Sequence, residues 1–281
     1  MNTCIDCLPC FFRQALDAVR RASSDTELHE RVMREVSGWI HDADLSEPPP
    51  LMAQRLHHFL REQTGISDPY LEAKNRDNTL ALSLLPELRK RVESSSDPFR
   101  LVVRLAIAGN QIDLGPKSSM SADEVVNSVR RVEEQPFEGD IELFKRFSEQ
   151  SHRILYIADN AGEIVLDRLL VEMLDPAKVT VTVRGGAVIN DATMADAQTA
   201  GLCEICEVIS NGSDVPGTIL EVCTPEFRNA FDSSDMIISK GQGNFETLSD
   251  NSRSICFLFK VKCPVIAEKI GLKLGTQALL F

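Results

Sequence analysis

Apolar positions change their rhythm once along the chain. Up to about residue 150 they recur at helical spacing. Phe11, Ala15, Leu16 and Val19 mark a helix over 10–22, and similar amphipathic stretches predict helices at 27–40, 51–63, 69–93 and 98–109. The breaks carry the expected residues: Pro48-Pro49-Pro50 precedes one helix, Asp68-Pro69 and Asp97-Pro98 read as a cap followed by a first turn, and Ser94-Ser95-Ser96 is a loop. From residue 151 short apolar runs take over, at 153–158 (RILYIA), 179–184 (VTVTVR), 204–210 (EICEVIS), 235–239 (DMIIS) and 254–259 (SICFLF), with helix-patterned segments between them. Strands alternating with helices predict βαβ units and a parallel sheet, so the chain divides into a helical region, 1–150, and an α/β region, 151–281.

In an open parallel sheet, ligands bind beyond the carboxyl ends of the strands. The polar residues gather there. The first strand runs into Asp159-Asn160-Ala161-Gly162-Glu163, the second into Arg184-Gly185-Gly186 and then Asn190-Asp191, the third into Ser210-Asn211-Gly212, and the fourth into Lys240-Gly241-Gln242-Gly243-Asn244. Asp159, Asn160 and Asp191 are hard oxygen donors suited to a divalent ion such as Mg²⁺ or Mn²⁺. The competing reading is a plain helix cap, because Asn160 and Glu163 stand at capping-box spacing; a cap leaves Asp159 and Asp191 unexplained. Lys240 and its glycines read as an anion cradle, with an ordinary glycine turn as the alternative. The loop has neither the spacing of a dinucleotide fingerprint nor that of a P-loop.

Composition narrows the classes. Of the 281 residues, 43% are hydrophobic and 26% charged, which are globular proportions. The net charge of -12 argues against nucleic-acid binding, which needs clustered Lys and Arg, so any anion must be drawn in by a local feature. No apolar run approaches the ~20 residues needed to span a membrane, and the amino terminus lacks a basic leader. The expectation is a cytoplasmic protein whose eight cysteines are reduced thiols or metal ligands.

Several segments together resemble the damage-control phosphatases, a family first catalogued as domain of unknown function eighty-nine. They are IADNAGEIVLD (157–167), the Asn190-Asp191 pair, SKGQGNFETL (239–248), DPYLEAKNRDN (68–78), AIAGNQID (106–113) and the amino-terminal CIDCLPCFFRQAL (4–16), whose CxxCxxC start is similar to the archaeal and bacterial branch. The resemblance implies a three-layer α/β/α domain with a mostly parallel sheet, an N-terminal helical region packed on it, and divalent-metal-dependent hydrolysis of phosphate esters with Mn²⁺, Co²⁺, Ni²⁺ or Mg²⁺. The implied partner is a small phosphorylated metabolite, a sugar phosphate or a damaged cofactor derivative. By the same resemblance Asp159, Asn160 and Asp191 match metal ligands, and Lys240 matches the lysine that meets the phosphate. Gly241 and Asn244 belong to the same loop, Lys262 is similar to a second basic contact, and Asn110 lies in a segment that faces the pocket. In that scheme the metal acts as a Lewis acid and Lys240 with the loop amides stabilises the phosphoryl oxygens. Asp159 is read as a ligand and not as a nucleophile, because residue 161 is Ala and a DxD arrangement is absent.

Cys4, Cys7 and Cys10 have CxxC spacing twice over and could hold a structural zinc or an iron–sulfur cluster, given a fourth ligand such as Cys203 or Cys206; buried apolar cysteines in a helix start are the other reading. His57 and His58 read as surface and Trp39 as helix core. Two other classes remain open. A methyltransferase-like cofactor enzyme on the same sheet would need a glycine-rich turn after the first strand. A metal or redox carrier would rest on the cysteine cluster.

Overall fold

The structure is a computed structural model and describes residues 1–110 and 122–281. Residues 111–113, which close the AIAGNQID segment, lie outside the described residues. The chain opens with helices α1 (Cys7–Ala22), α2 (Thr26–His41), α3 (Pro49–Thr64), α4 (Leu71–Ser94) and α5 (Pro98–Gly109). Helix α6 (Ala122–Arg130), a short strand β1 (Phe137–Glu138) and α7 (Ile141–Gln150) lead into the alternating part. That part runs β2 (Ile154–Ile157), α8 (Glu163–Met173), β3 (Val179–Val183), α9 (Met194–Thr199), β4 (Glu207–Ser210), α10 (Pro225–Ser233), β5 (Met236–Lys240), α11 (Gln242–Leu248), β6 (Cys256–Lys260), α12 (Pro264–Ile270) and β7 (Gln277–Leu280). The capping chemistry is local: Asp25 and Asp97 accept from the backbone N–H of Glu27 and Arg100 at the starts of α2 and α5, and Gly65 ends α3 at a φ of 68°.

The sheet order is β1-β7-β6-β5-β2-β3-β4, parallel throughout except for the antiparallel β6–β7 pair. The five strands expected from the apolar runs are present within a few residues. The edge strand β1 and its neighbour β7 were not expected from the sequence, β1 because two residues carry no periodicity. Side chains alternate across the sheet. Ile154 and Tyr156 of β2, with Met236 and Ile238 of β5, face a core formed with α5 and α8, while Leu155, Ile157 and Ile237 face a second core with Phe227, Phe245 and Ile266 of α10, α11 and α12. Helices on both faces of a mostly parallel sheet make the fold the three-layer α/β arrangement.

The main core does not stop at residue 150: it joins Leu84, Leu105 and Phe144 to the sheet and to Leu170 of α8. A separate small core holds α1, α2 and α3 together through Val19, Val32, Trp39 and Leu56. This three-helix unit is fastened to the loops at the carboxyl edge by Asp214, which accepts from Gln54 (2.6 Å) and Arg61 (2.5 Å) and pairs with His58 (2.6 Å). His58 is half-exposed there, but His57 is buried against the Tyr70 ring and not on the surface.

Candidate active site

Strands β2 and β5 are neighbours, but the chain proceeds from β2 outward through β3 and β4, and from β5 outward through β6 and β7. The crevice at the carboxyl ends of β2 and β5 is therefore the switch point of the sheet, where open α/β folds bind ligands. A pocket of about 300 Å³ opens there, walled by Asn110, Asp159, Asn160, Asp191 and Lys262 on the sheet side and by α1 and the start of α3 opposite.

Two backbone hydrogen bonds fix the pocket floor. Ala161 N–H donates to Asn190 O (2.9 Å) and Ala192 N–H to Asp159 O (2.7 Å), a small antiparallel bridge that sets Asn160 across from Asp191. The side chains then form a closed arrangement. Asn110 Nδ2 donates to Asp159 Oδ2 (3.0 Å) and Glu163 Oε2 (2.7 Å), and Asn160 Nδ2 donates to the same two oxygens (2.5 and 3.0 Å). Ionised carboxylates only accept, so each amide must turn its nitrogen toward them and its oxygen away. Glu163 thus does not close a capping box: α8 has no side-chain cap, and Gly162 is its N-cap at a φ of 72°. Asn110, at the carboxyl end of the buried helix α5, is likewise a site residue and not only a helix end.

Gly241 is needed for this geometry. Its φ is +78°, and a Cβ there would lie 1.9 Å from Asp159 Oδ2, so only a glycine lets the β5 exit pass this close to the carboxylate.

Lys240 stands beneath the pocket and not on its wall. Residues 236, 238 and 240 share one face of β5, the face covered by α5 and α8, so the Lys240 side chain runs under α8. Its ammonium, fully buried, donates to Glu163 Oε1 (2.6 Å), Asp167 Oδ1 (2.6 Å) and Ala106 O (3.0 Å), which engages all three of its protons. Tyr156 OH adds a fourth member by donating to Asp167 Oδ1 (2.8 Å). Asn244 is also buried beneath the wall. It donates to Lys240 O (2.7 Å) and accepts from Arg184 (3.1 Å), whose Nε holds Asp191 Oδ2 at 2.7 Å. The N–H of Gly241 donates to Leu258 O, within the backbone. Of the residues expected from sequence, Asp159, Asn160, Asp191, Asn110 and Lys262 meet at the pocket, while Lys240, Gly241 and Asn244 support it from behind. Lys262 Nζ donates to Asn110 O (2.5 Å) at the rim.

The helical region supplies a residue that sequence reasoning overlooked. Asn78 of α4 is buried, accepts from Gly162 N–H (2.7 Å) and donates to Asp196 Oδ1 (2.8 Å). Asp196 in turn caps α9 through Thr193 and pairs with Lys74 (2.9 Å). One side chain therefore links the loop after β2 to the helix after β3. The available signal was a run of polar residues, Lys74, Asp77 and Asn78, on the buried face of a helix.

Electrostatics distinguish the acids. Burial, then the nearby charges of Glu163 and Asp191, push Asp159 well above the usual carboxylate range, against the pull of Arg184 and Lys262. Burial also raises Asp191, with Arg184 opposing it. Burial pushes Asp167 up to about 7 against the pull of Lys240, and although burial disfavours the Lys240 charge, Asp167 and Glu163 outweigh it and keep the lysine protonated. Two carboxylates and an amide that crowd one another, with no cation hydrogen-bonded to Asp159, have the donor chemistry a hard divalent ion takes, although no three acidic or other metal-ligating side chains among the described residues are already grouped as a cage.

The described residues assemble no cysteine metal site. Among the described residues, no three His, Cys, Asp or Glu side chains are grouped as a ready cage for a metal ion. Cys4 and Cys7 approach to 3.5 Å between sulfurs, but Cys10, three residues along α1, is exposed. Cys206 lies with His152 and Lys178 at the opposite edge of the sheet. For the zinc or cluster expected at Cys4, Cys7 and Cys10, no ligand set is assembled among the described residues, and Cys206, one of the fourth ligands considered, lies at the opposite edge of the sheet.

Residues 3–278 match the family model described as the damage-control phosphatase ARMT1-like domain. The chain belongs to that family. It is 34% identical to an uncharacterized protein of Methanocaldococcus jannaschii over 98% of this chain and 94% of that one, and 32% identical to a damage-control phosphatase of Pyrococcus horikoshii over 98% and 96%. A damage-control phosphatase of Archaeoglobus fulgidus is 37% identical over 80% of this chain and 79% of its own. The crystal structure of a DUF89 family protein from Pyrococcus horikoshii superposes with a TM-score of 0.91 at 30% identity, covering 100% of this chain and 99% of that one. No helix among the described residues of this family member is long and apolar enough to cross a membrane.

Proposed function

We infer that this chain is a divalent-metal-dependent phosphatase acting on phosphate monoesters of small metabolites, sugar phosphates or damaged phosphometabolites. The observation that supports it best is the convergence of Asp159, Asn160 and Asp191 on one pocket at the switch point of the sheet, with Lys262 at its rim. Those three oxygen donors would hold the metal. A bound divalent ion supplies Lewis-acid stabilisation of phosphoryl oxygens and a more acidic water.

The protein's own groups do the positioning. Asp159 and Glu163 accept from the Asn160 amide nitrogen, leaving its oxygen the free end, and Asn110 steadies both carboxylates. Arg184 orients Asp191, and Lys240 locks Glu163 from below. Lys262 is the pocket-wall lysine and offers a full positive charge to an incoming phosphate in an otherwise acidic chain. Asp159 serves as a ligand: its Oδ2 already accepts two amide N–H groups and abuts Gly241.

Chelator-stripped protein should lose hydrolysis of an aryl phosphate and recover it with Mn²⁺ or Co²⁺, and Asp159→Ala should lose turnover while keeping its circular dichroism spectrum. Undiminished hydrolysis after chelation would sink the metal-dependent reading.

A further inference from the structure

The Cys4–Cys7 pair is the one sequence motif that the metal site does not absorb. Their sulfurs are 3.5 Å apart, both residues are half-buried, and a turn in which Cys7 N–H donates to Cys4 O (2.9 Å) brings them together at the start of α1. A disulfide requires ~2.05 Å between sulfurs, so closure needs an approach of about 1.5 Å, within reach of side-chain rotation. Asp6 and Cys7 line the pocket that Asp159 lines from the other side. The preceding residue is already held, because Thr3 bonds Glu47 O through its N–H (2.9 Å) and its hydroxyl (2.6 Å).

We propose that Cys4 and Cys7 form a reversible dithiol–disulfide pair that shapes the rim of the metal-site pocket. The oxidant is a low-molecular-weight disulfide. The Cys4 thiolate attacks one of its sulfurs, forming a mixed disulfide and releasing one small thiol. The Cys7 sulfur then displaces the second small thiol from Cys4 and closes the bridge. The pair loses two electrons and two protons, and the small disulfide gains both as two thiols; excess small thiol runs the exchange backward. Burial pushes the Cys7 thiol up to about 12, which makes it a poor nucleophile for the first attack. The bridge closes a loop around Ile5 and Asp6, so its redox state sets the pocket wall that faces Asp159.

The test uses the full chain equilibrated in glutathione buffers from fully reduced to fully oxidised, quenched in acid and alkylated. Trypsin releases residues 1–13, which carry all three cysteines of the motif. Two alkylatable thiols should disappear from that peptide, fragmentation should place the bridge between Cys4 and Cys7, and reduced glutathione should restore both thiols. Cys10→Ser should behave as the wild type, and Cys7→Ser should accumulate the mixed disulfide at Cys4. No thiol loss in fully oxidised buffer, a bridge to Cys10, or tightly bound zinc that protects the thiols would each overturn the proposal. The activity arm rests on the phosphatase reading. Reduced and oxidised wild type, assayed on an aryl phosphate with Mn²⁺, should differ at least threefold in KM, and Cys4→Ser should not. Equal KM values would overturn the claim that the pair shapes the pocket. Absence of turnover in both states would count against the phosphatase reading alone, because the peptide arm decides the bridge separately.

Discussion

Replacing Lys240 with methionine distinguishes a lysine that meets substrate from one that holds the site together. Methionine keeps much of the side-chain length and removes the charge. Glu163 and Asp167, with side chains 0% and 1% exposed, would then face each other without the cation that both now contact at 2.6 Å. Breaking a buried ion pair by deleting one partner costs about 3–5 kcal/mol. Unfolding entropy of about 2.1 cal/mol/K per residue gives roughly 0.6 kcal/mol/K for a chain of this length, so the melting temperature should fall by roughly 5–8 °C. The deficit should depend on pH. A carboxyl whose folded pKa lies above its unfolded value favours the fold below the unfolded pKa and loses that stabilisation as pH rises through the folded one. Asp167 is at about 7 even with Lys240 present and goes higher without it, so the deficit of the variant should be largest above pH 7 and shrink toward pH 5. Differential scanning calorimetry across that range on metal-free protein measures both effects. A melting temperature unchanged at pH 8, together with lost hydrolysis, would refute the buried-clamp reasoning and return Lys240 to the phosphate.

Gly241→Ala combines a φ of +78° with a Cβ 1.9 Å from Asp159 Oδ2, so Mn²⁺ affinity by calorimetry should drop at least tenfold; Gly271→Ala, at a φ of +70° but in open space, should leave it unchanged. Asn78→Ala strips a partner from Gly162 N–H and from Asp196, each worth about 1–3 kcal/mol when buried, and should lower both the melting temperature and Mn²⁺ affinity although Asn78 lies outside the pocket. An unaltered affinity would show that the tie does not position the loop. Burial, then Arg61, depress His57 to about 4 from 6.5, so its contribution to stability is complete above pH 6.5 and lost as pH falls toward 4. At about 1.4 kcal/mol for each pH unit separating the folded and unfolded values, this amounts to roughly 3 kcal/mol, and His57→Gln should flatten the fall in urea midpoint between pH 6.5 and 4. An identical slope in the variant would contradict that assignment.

The sequence made the helix and strand alternation readable because each element carries its own period, and it made Asp159, Asn160 and Asp191 readable because strand exits of a parallel sheet share an edge. It was silent where a contact depends on which way a strand residue points. Lys240 looked like the phosphate partner because it follows a strand and precedes glycines. Counting in twos from Met236 through Ile238 would have placed it on the face toward α8, but that count needs to know which face is covered. Glu163 could be read as a cap because three-residue spacing is shared by capping boxes and by side chains that meet around a site. Asn78 is 84 residues from its partner Gly162, a pairing no local pattern encodes. Strand β7 escaped notice because it pairs antiparallel with β6, outside the βαβ rhythm.

The separate core of α1, α2 and α3 has a consequence for how such a protein diversifies. The floor of the pocket is tied into the main core through α5, α8 and the buried lysine, whereas Gln14, Pro49 and Ala53 of the roof sit on helices whose packing stands apart and whose chief polar anchor is Asp214. Substitutions in the roof can therefore accumulate without disturbing the acids below. Under the phosphatase reading, chemistry and molecular preference would then sit on different parts of the chain, and one could drift while the other is kept.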